Sequence, residues 1–388
     1  MSDARTALSP VPVAPLSAHR FVEVLERPQY EALLDLIARG SRALRGRVVW
    51  NVNSTARGGG VVELLRPLLG YSRGAGVDAR WLVVAGGPEF FAITKRLHNR
   101  LHGFTGDRGP LGPEQRRAYE STLRHAAAEL VPLLRPGDIV ILHDPQTAGL
   151  VESVRRAGAV AIWRCHVGRD RTNGYARTAQ SFLRPYMQEA DAFVFSRREL
   201  AWTGLPQDRI AIIQPSIDAF SPKNQEQSAA RSQAILSRAG IIPDGQHRVT
   251  FTRSDGTPGR VDRRATMIEE RPLGARDVLI TQISRWDHLK DPLGVLHGFA
   301  GQISATTEAH LLLAGPDTEA VADDPEGAQT LAAVHSAWRR LPSPIRSRVH
   351  LASLPMVDLE ENAAIVNGLQ RRSHVVIQKS LAEGFGLT

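Results

Sequence analysis

The sequence predicts an α/β protein of two lobes, each built on a mostly parallel sheet, with a cleft between them. Three observations lead there. Short apolar runs of strand length alternate with helical patterns along the chain, the order that βα units produce. The polar run Gln214-Pro215-Ser216-Ile217-Asp218 interrupts that alternation as a connection between lobes would. Polar residues also gather just after the strand candidates, where open parallel sheets bind their ligands.

In the first half the strands are expected at 47–51, 80–85, 138–142, 159–163, 192–195 and 210–213. Helical patterns between them include 61–73, 89–101, 113–134 and 147–157. In the second half strands are expected at 278–283, 310–313, 349–351 and 374–377, with helices at 292–302, 329–339 and 359–369. The stretch 244–276 is crowded with Arg, Asp, Gly and Pro and lacks clear periodicity, so it reads as a long loop. The organisation that follows is a disordered extension over 1–20, a first lobe over 21–217 and a second lobe over 218–388.

Composition narrows the class. The chain has 388 residues, of which 42% are apolar and 23% charged, ordinary values for a globular protein with a sizeable core. No apolar run approaches the roughly 20 residues of a membrane span, and Pro10, Pro12 and Pro15 break any signal-peptide core. A single cysteine, Cys165, excludes an internal disulfide framework and a cysteine-based zinc site. A cytoplasmic protein is expected. The net charge of +8 favours anionic partners, but aromatic content is only 6% and the basic residues are scattered. Nucleic acid is therefore not the expected partner.

Each strand exit carries a candidate with two readings. Asn53-Ser54-Thr55 and Gly58-Gly59-Gly60 lie between the first strand and a helix. The glycines either permit a tight turn or bare backbone N–H groups to an anion at the helix start. They fit neither a G-x-G-x-x-G dinucleotide fingerprint nor a P-loop. His143, Asp144 and His166 follow neighbouring strands and form either an acceptor pocket or a pair of structural histidines beside a carboxylate. In the second half, Arg285 and Lys290 follow a strand. Either they neutralise a diphosphate, Arg as a fork and Lys as a point charge, or they are solvated surface charges. Glu383 heads a run through Gly384, Phe385 and Gly386, either to accept sugar hydroxyls or to turn at the surface. His98 and His102 have helical metal-pair spacing, but Asn99 stands where a metalloprotease carries Glu and no acidic ligand accompanies them. No metal is expected. Cys165 reads as a buried residue rather than a nucleophile.

Taken together, these motifs resemble a known group. Ser284-Arg285-x-Asp287-x-x-Lys290 with Glu383-Gly384-Phe385-Gly386 is similar to the donor signature of family 4 retaining glycosyltransferases, which have the GT-B fold of two Rossmann-like lobes. Asn53-Ser54-Thr55, the triple glycine, Glu89-Phe90-Phe91-x-x-Thr94-Lys95-x-x-His98-Asn99, His143-Asp144-Pro145-Gln146 and Trp163-Arg164-Cys165-His166 resemble glycosyltransferring trehalose synthases and the related trehalose phosphorylases. The resemblance implies glucose transfer with retention from a nucleoside-diphosphate-glucose to free glucose, with no cofactor and no metal. It implies catalytic roles for His166, Arg285, Lys290 and Glu383. Donor contacts would come from Gly58, Gly59, Gly60, Arg285, Lys290, Glu383, Gly384, Phe385 and Gly386. Acceptor contacts would come from Asn53, His98, His143, Asp144 and His166. A homodimer is the candidate assembly. A phosphorylase using inorganic phosphate and a non-catalytic remnant are the alternatives. The family pattern also places a second Glu eight positions after Glu383, past Thr388, so an incomplete second lobe, and a chain that folds its first lobe but is nearly inactive as a transferase, are expected.

Overall fold

All six strands expected in the first half form, and they join one sheet in the computed structural model, which describes residues 6–57, 59–243, 248–318 and 326–383. The described chain divides into two units, one running to Ala56 and through Gly60–Ser216, the other over Ile217–Ala382.

The first unit runs β1 (Leu8–Pro10), α1 (Arg27–Ala43), β2 (Val48–Asn53), α2 (Gly60–Gly74), β3 (Asp78–Val84), α3 (Pro88–Leu101), α4 (Pro113–Leu130), β4 (Ile139–His143), α5 (Val151–Arg156), β5 (Val160–Cys165), α6 (Gly174–Met187), β6 (Ala192–Phe195) and β7 (Ile210–Ile212). The sheet order is β1-β3-β2-β4-β5-β6-β7, with only β1 antiparallel. Alternation puts Trp50, Val52, Val140 and Leu142 into the larger core, while Ala79 and Trp81 pack on Val62, Leu65 and Leu69 of α2. Both faces of the sheet are thus covered, as parallel sheets require.

The N-terminal stretch corrects an expectation. Residues 8–10 are a strand in register with β3, Leu8 opposite Val84. The carboxylate of Glu129 accepts from the amides of Ala7 and Leu8 at 2.7 and 2.9 Å. An anchor 121 residues away leaves no local signal. The expected 113–134 helix changes to a 3-10 turn at Val131–Leu133, where Pro132 has no N–H for an α-helical bond.

The second unit contains α7 (Ala229–Arg238), β8 (Thr250–Thr252), β9 (Pro258–Arg260), β10 (Thr266–Ile268), β11 (Leu279–Ile283), α8 (Pro292–Gly298), β12 (His310–Pro316), α9 (Gly327–Arg339), α10 (Ser343–Arg346), β13 (Val349–Leu354), α11 (Leu359–Arg372) and β14 (Val375–Val376). Its five-stranded sheet is ordered β10-β13-β12-β11-β14, parallel except at β10. Leu312, Ala314, Ala352 and Leu354 share a core with α7 and α11, and Leu311, Leu313, Val349 and Leu351 share one with α8 and α9.

The stretch expected as a long loop therefore carries a hairpin, β8–β9, and an edge strand. It is held by charge. Arg253 pairs with Asp358 at 2.6 Å and with Glu360 at 2.9 Å, and buried Glu361 accepts from the amides of Asp262 and Arg263 at 2.6 and 2.7 Å. Strands of three residues pinned by distant carboxylates show no periodicity of their own. Among the described residues, no helix is long and apolar enough to cross a membrane.

Candidate active site

Asn51, His143, Asp144 and His166 come together toward the carboxyl ends of β2, β4 and β5 of the first unit. Asn51 and Asn53 are two apart in β2 and so share a face of the strand. His143 closes β4, Asp144 follows it, and His166 follows β5. His143 is 1% exposed and His166 3%. His143 Nε2 lies 3.1 Å from Asn51 Oδ1, and His143 Nδ1 lies 3.0 Å from His166 Nε2. The two imidazole planes differ by 8°.

Asp144 is held in a left-handed conformation, φ 62°, costly for a residue with a Cβ. Its neighbours over-determine it. Its amide donates to Arg164 O at 2.9 Å, its carbonyl accepts from Trp163 Nε1 at 3.1 Å, and its Oδ1 accepts from the His166 amide at 2.7 Å. Strain maintained by three partners on β5 and just after it is the sort that marks functional positions.

Burial sets the charges. It pushes the Asp144 carboxyl up to about 7, against the opposing pull of the His166 N–H and Arg164. Burial, with Arg164 adding to it, lowers His143 to about 3. Burial, His143 and Arg164 together lower His166 well below the usual range. Both imidazoles are neutral at pH 7, so they offer hydrogen bonds rather than an acidic imidazolium. Cys165 is buried, its Sγ donates to Val167 O at 3.2 Å, and burial pushes its thiol up.

Asn53 and His98 have contacts of their own. Asn53 accepts from Trp81 Nε1 at 2.8 Å and donates to Thr55 O at 2.7 Å, so its amide holds the loop after β2. His98 sits on α3, its ring centroid 4.8 Å from that of His102. His102 Nδ1 lies 2.9 Å from Gly168 O, which ties the end of α3 to the loop carrying His166. Gly59 has φ 84°, and Gly60 begins α2. Gly58 lies outside the described residues.

In the second unit, Arg285 and Lys290 lie on the loop after β11. Asp287, 2% exposed, accepts from the Leu289 amide at 2.8 Å and lies 3.5 Å from Arg285 Nη2. Gln282 Nε2 donates to Lys290 O at 2.6 Å, and Trp286 Nε1 donates to Pro316 O at 3.0 Å. The segment leading to Glu383 is bound to the same loop, since the Leu381 amide donates to Leu289 O at 2.7 Å. Gly384, Phe385 and Gly386 lie outside the described residues.

One member of the first-unit group, Asn51, escapes the motif reading, and Arg164 enters it only as part of the Trp163–His166 motif. Asn51 and Arg164 sit inside strands, at 2% and 8% exposure. The signal for Asn51 was present: an amide in the middle of Val48-Val49-Trp50-Asn51-Val52 is expensive to bury without a partner.

Comparison with known proteins places these features. Residues 51–202 match the family described as the N-terminal domain of trehalose synthase. The chain is 32% identical to a trehalose synthase of Rubrobacter xylanophilus over 94% of its own length and 75% of that protein. It is 32% identical to a trehalose synthase of Pyrococcus furiosus over 92% and 74%. A trehalose phosphorylase of Pleurotus sajor-caju is 23% identical over 86% of this chain and 45% of its own. Among solved structures, the α,α-trehalose-phosphate synthase (UDP-forming) of Burkholderia vietnamiensis superposes with a TM-score of 0.58 at 13% identity, covering 87% of this chain and 79% of that one. The corresponding protein of Burkholderia xenovorans, in complex with glucose-6-phosphate, gives 0.52 at 16% over 87% and 80%. At such identities the structures show the fold, which is GT-B. The chain belongs to the trehalose synthase family of glycosyltransferases.

Proposed function

We propose that the chain is a retaining glucosyltransferase that makes trehalose from a nucleoside-diphosphate-glucose and free glucose, in the cytoplasm and without a metal. The observation that carries this reading is the strained, clamped Asp144 beside two neutral histidines, at the carboxyl ends of parallel strands in a trehalose synthase relative. The Asp144 carboxyl group and neutral imidazoles offer hydrogen bonds to sugar hydroxyls without bringing a competing positive charge to the reacting carbon.

In the proposed reaction the bond from glucose C1 to the diphosphate oxygen breaks, and the acceptor hydroxyl oxygen bonds C1 from the same face. The acceptor's proton passes to the departing diphosphate oxygen. Arg285 and Lys290 neutralise the charge that develops on the diphosphate, with the amides of Gly59 and Gly60 as further donors. Two side-chain cations on one loop do the work a divalent ion would do. Asp144, His98 and Asn53 serve the acceptor sugar, His166 lies by the reacting carbon, and Glu383 receives donor hydroxyls.

Support comes from the trehalose synthase relatives and from neighbours named as UDP-forming. A phosphorylase is the second reading, favoured by the trehalose phosphorylase relative. The deciding experiment supplies the purified protein with several nucleotide-glucoses and free glucose, then follows released nucleotide and the anomeric protons of the product by NMR. α,α-Trehalose with stoichiometric nucleoside diphosphate is the expected result. Trehalose formed only from α-glucose-1-phosphate and glucose would establish the second reading, and no product from either donor would overturn both.

A further inference from the structure

At the amino ends of β2 and β3, away from the strand-end group, the first unit holds a cavity of about 360 Å³. Its walls come from the turns after α1 and α2 and from the approach to β4, and they include Arg45, Arg47, Asp78 and Arg135. β2 runs from Val48, in the cavity wall, to Asn53 at its other end. At about 3.3 Å per residue, roughly 16 Å of strand separates the two ends. The walls are fixed by the fold. Ser41 Oγ lies 2.9 Å from Ile37 O and 2.8 Å from Ala75 O, which ties the end of α1 to the turn after α2. Both turns pass through a left-handed glycine, Gly46 at φ 78° and Gly76 at φ 82°, with open space where a Cβ would stand.

Charge gives the cavity its character. Arg80 Nε and Nη2 donate to the two carboxylate oxygens of Asp78 at 2.9 and 2.7 Å. This pairing, opposed by burial and reinforced by Arg73 and Arg135, holds Asp78 below the ordinary carboxylate range. The oxygens of buried Asp138 accept from the amides of Val48 and Arg135 at 2.9 and 3.0 Å. Both acids are thus committed to groups of the fold. Arg45, Arg47 and Arg135 are not: they are exposed, and among the described residues their guanidinium groups have no hydrogen-bond or ion-pair partner. What opposes them is one carboxylate, Asp138, and the C-terminal ends of α1 and α2, each end worth about half a negative charge. Three arginines outweigh that sum. Serving helix ends does not account for Arg135, which belongs to neither helix.

An anion with more than one charge answers such a lining. Guanidinium forks take phosphate oxygens in pairs, and a phosphate group has oxygens for more than one fork. No lining residue is aromatic, so the cavity offers no ring on which a nucleobase would stack. Its volume lies at the lower end of the roughly 300–1,000 Å³ of small-molecule sites. We infer that this cavity is a second binding site, separate from the strand-end group, which takes free phosphate or a small non-aromatic phosphate ester through Arg45, Arg47 and Arg135.

The test is calorimetric titration of the whole chain at low ionic strength, with inorganic phosphate in one arm and glucose 6-phosphate in the other. Saturable binding is expected in at least one arm, and the tighter arm distinguishes the free ion from the ester. Binding should persist in Arg285→Ala, which removes the phosphate fork proposed for the second unit. In Arg47→Gln/Arg135→Gln the affinity should fall about ten- to a hundredfold, the scale of lost charge-assisted contacts. Arg45→Glu, a single exposed change, should weaken binding as well and decides the matter if the double variant does not fold. No saturable binding in either arm, or loss confined to Arg285→Ala, would overturn the inference. So would variants with a lowered melting temperature and unchanged phosphate affinity, which would mark the arginines as counter-charges to the helix ends.

Discussion

The carboxylate of Asp144 and the backbone N–H of His166 meet at 2.7 Å across the exits of two adjacent strands. The β4–β5 register, with His143 opposite Arg164, brings them there. One hydrogen bond thus couples the orientation of the acid to the loop that carries the imidazole.

The charge of Asp144 gives a stability prediction with a definite sign. Its folded value, about 7, lies above the ordinary 3.8, so between these the folded state keeps a proton that the unfolded chain has released. Its stabilising contribution is complete below about pH 4 and is lost as pH rises through about 7. The ceiling is about 4 kcal/mol, reduced by the side chain's partial exposure. Asp144→Asn cannot titrate. The stability of wild type minus that of Asp144→Asn should therefore fall steadily from pH 4.5 to 7.5 in urea titrations. A difference independent of pH would refute this.

The histidines act in the opposite sense. His143 is lowered to about 3 and His166 is lowered as well, chiefly by burial. Their contribution is whole above about pH 6.5 and is lost as pH falls toward 3, because the unfolded chain takes up protons that the folded one refuses. His143→Gln should shift the acid-unfolding midpoint, followed by tryptophan fluorescence, to lower pH. A midpoint at or above that of the wild type would show that the rings are not held neutral.

Trp163 is fully buried, and its indole N–H supports the strained Asp144 carbonyl at 3.1 Å. Trp163→Phe keeps an aromatic ring but removes that donor and some volume. A loss of about 1–3 kcal/mol in unfolding free energy is expected. An unchanged denaturation midpoint would mean that the contact does not hold the turn.

Asp287, which lies 3.5 Å from Arg285 Nη2, is also held by the Leu289 amide, so Arg285→Ala leaves that loop anchor in place. Under the proposed function Arg285→Ala should lower kcat/KM for nucleotide-glucose by about ten- to a hundredfold, the scale of a charge-assisted contact worth about 1.5–3 kcal/mol. Unaltered efficiency would remove Arg285 from the donor site.

Turnover under the proposed mechanism should survive EDTA, because Arg285 and Lys290 supply the positive charge. Activity abolished by the chelator and restored by Mg²⁺ would replace that part of the mechanism.

The alternation of strand and helix patterns, the break near Ile217 and the placing of polar residues after strands were all determined by the sequence. These are local properties: a run such as Ile139–His143 has strand character wherever it lies. Long-range pairing had no such voice. Leu8–Pro10 becomes a strand because β3 and Glu129 receive it, and Thr266–Ile268 because β13 does. The candidate site divides the same way. His143, Asp144 and His166 stand out as polar residues at strand exits, but only parallel pairing in one register sets His143 between Asn51 and His166, 92 and 23 positions away. Burial there neutralises the rings and raises the acid, a matter of dielectric surroundings that no residue carries alone.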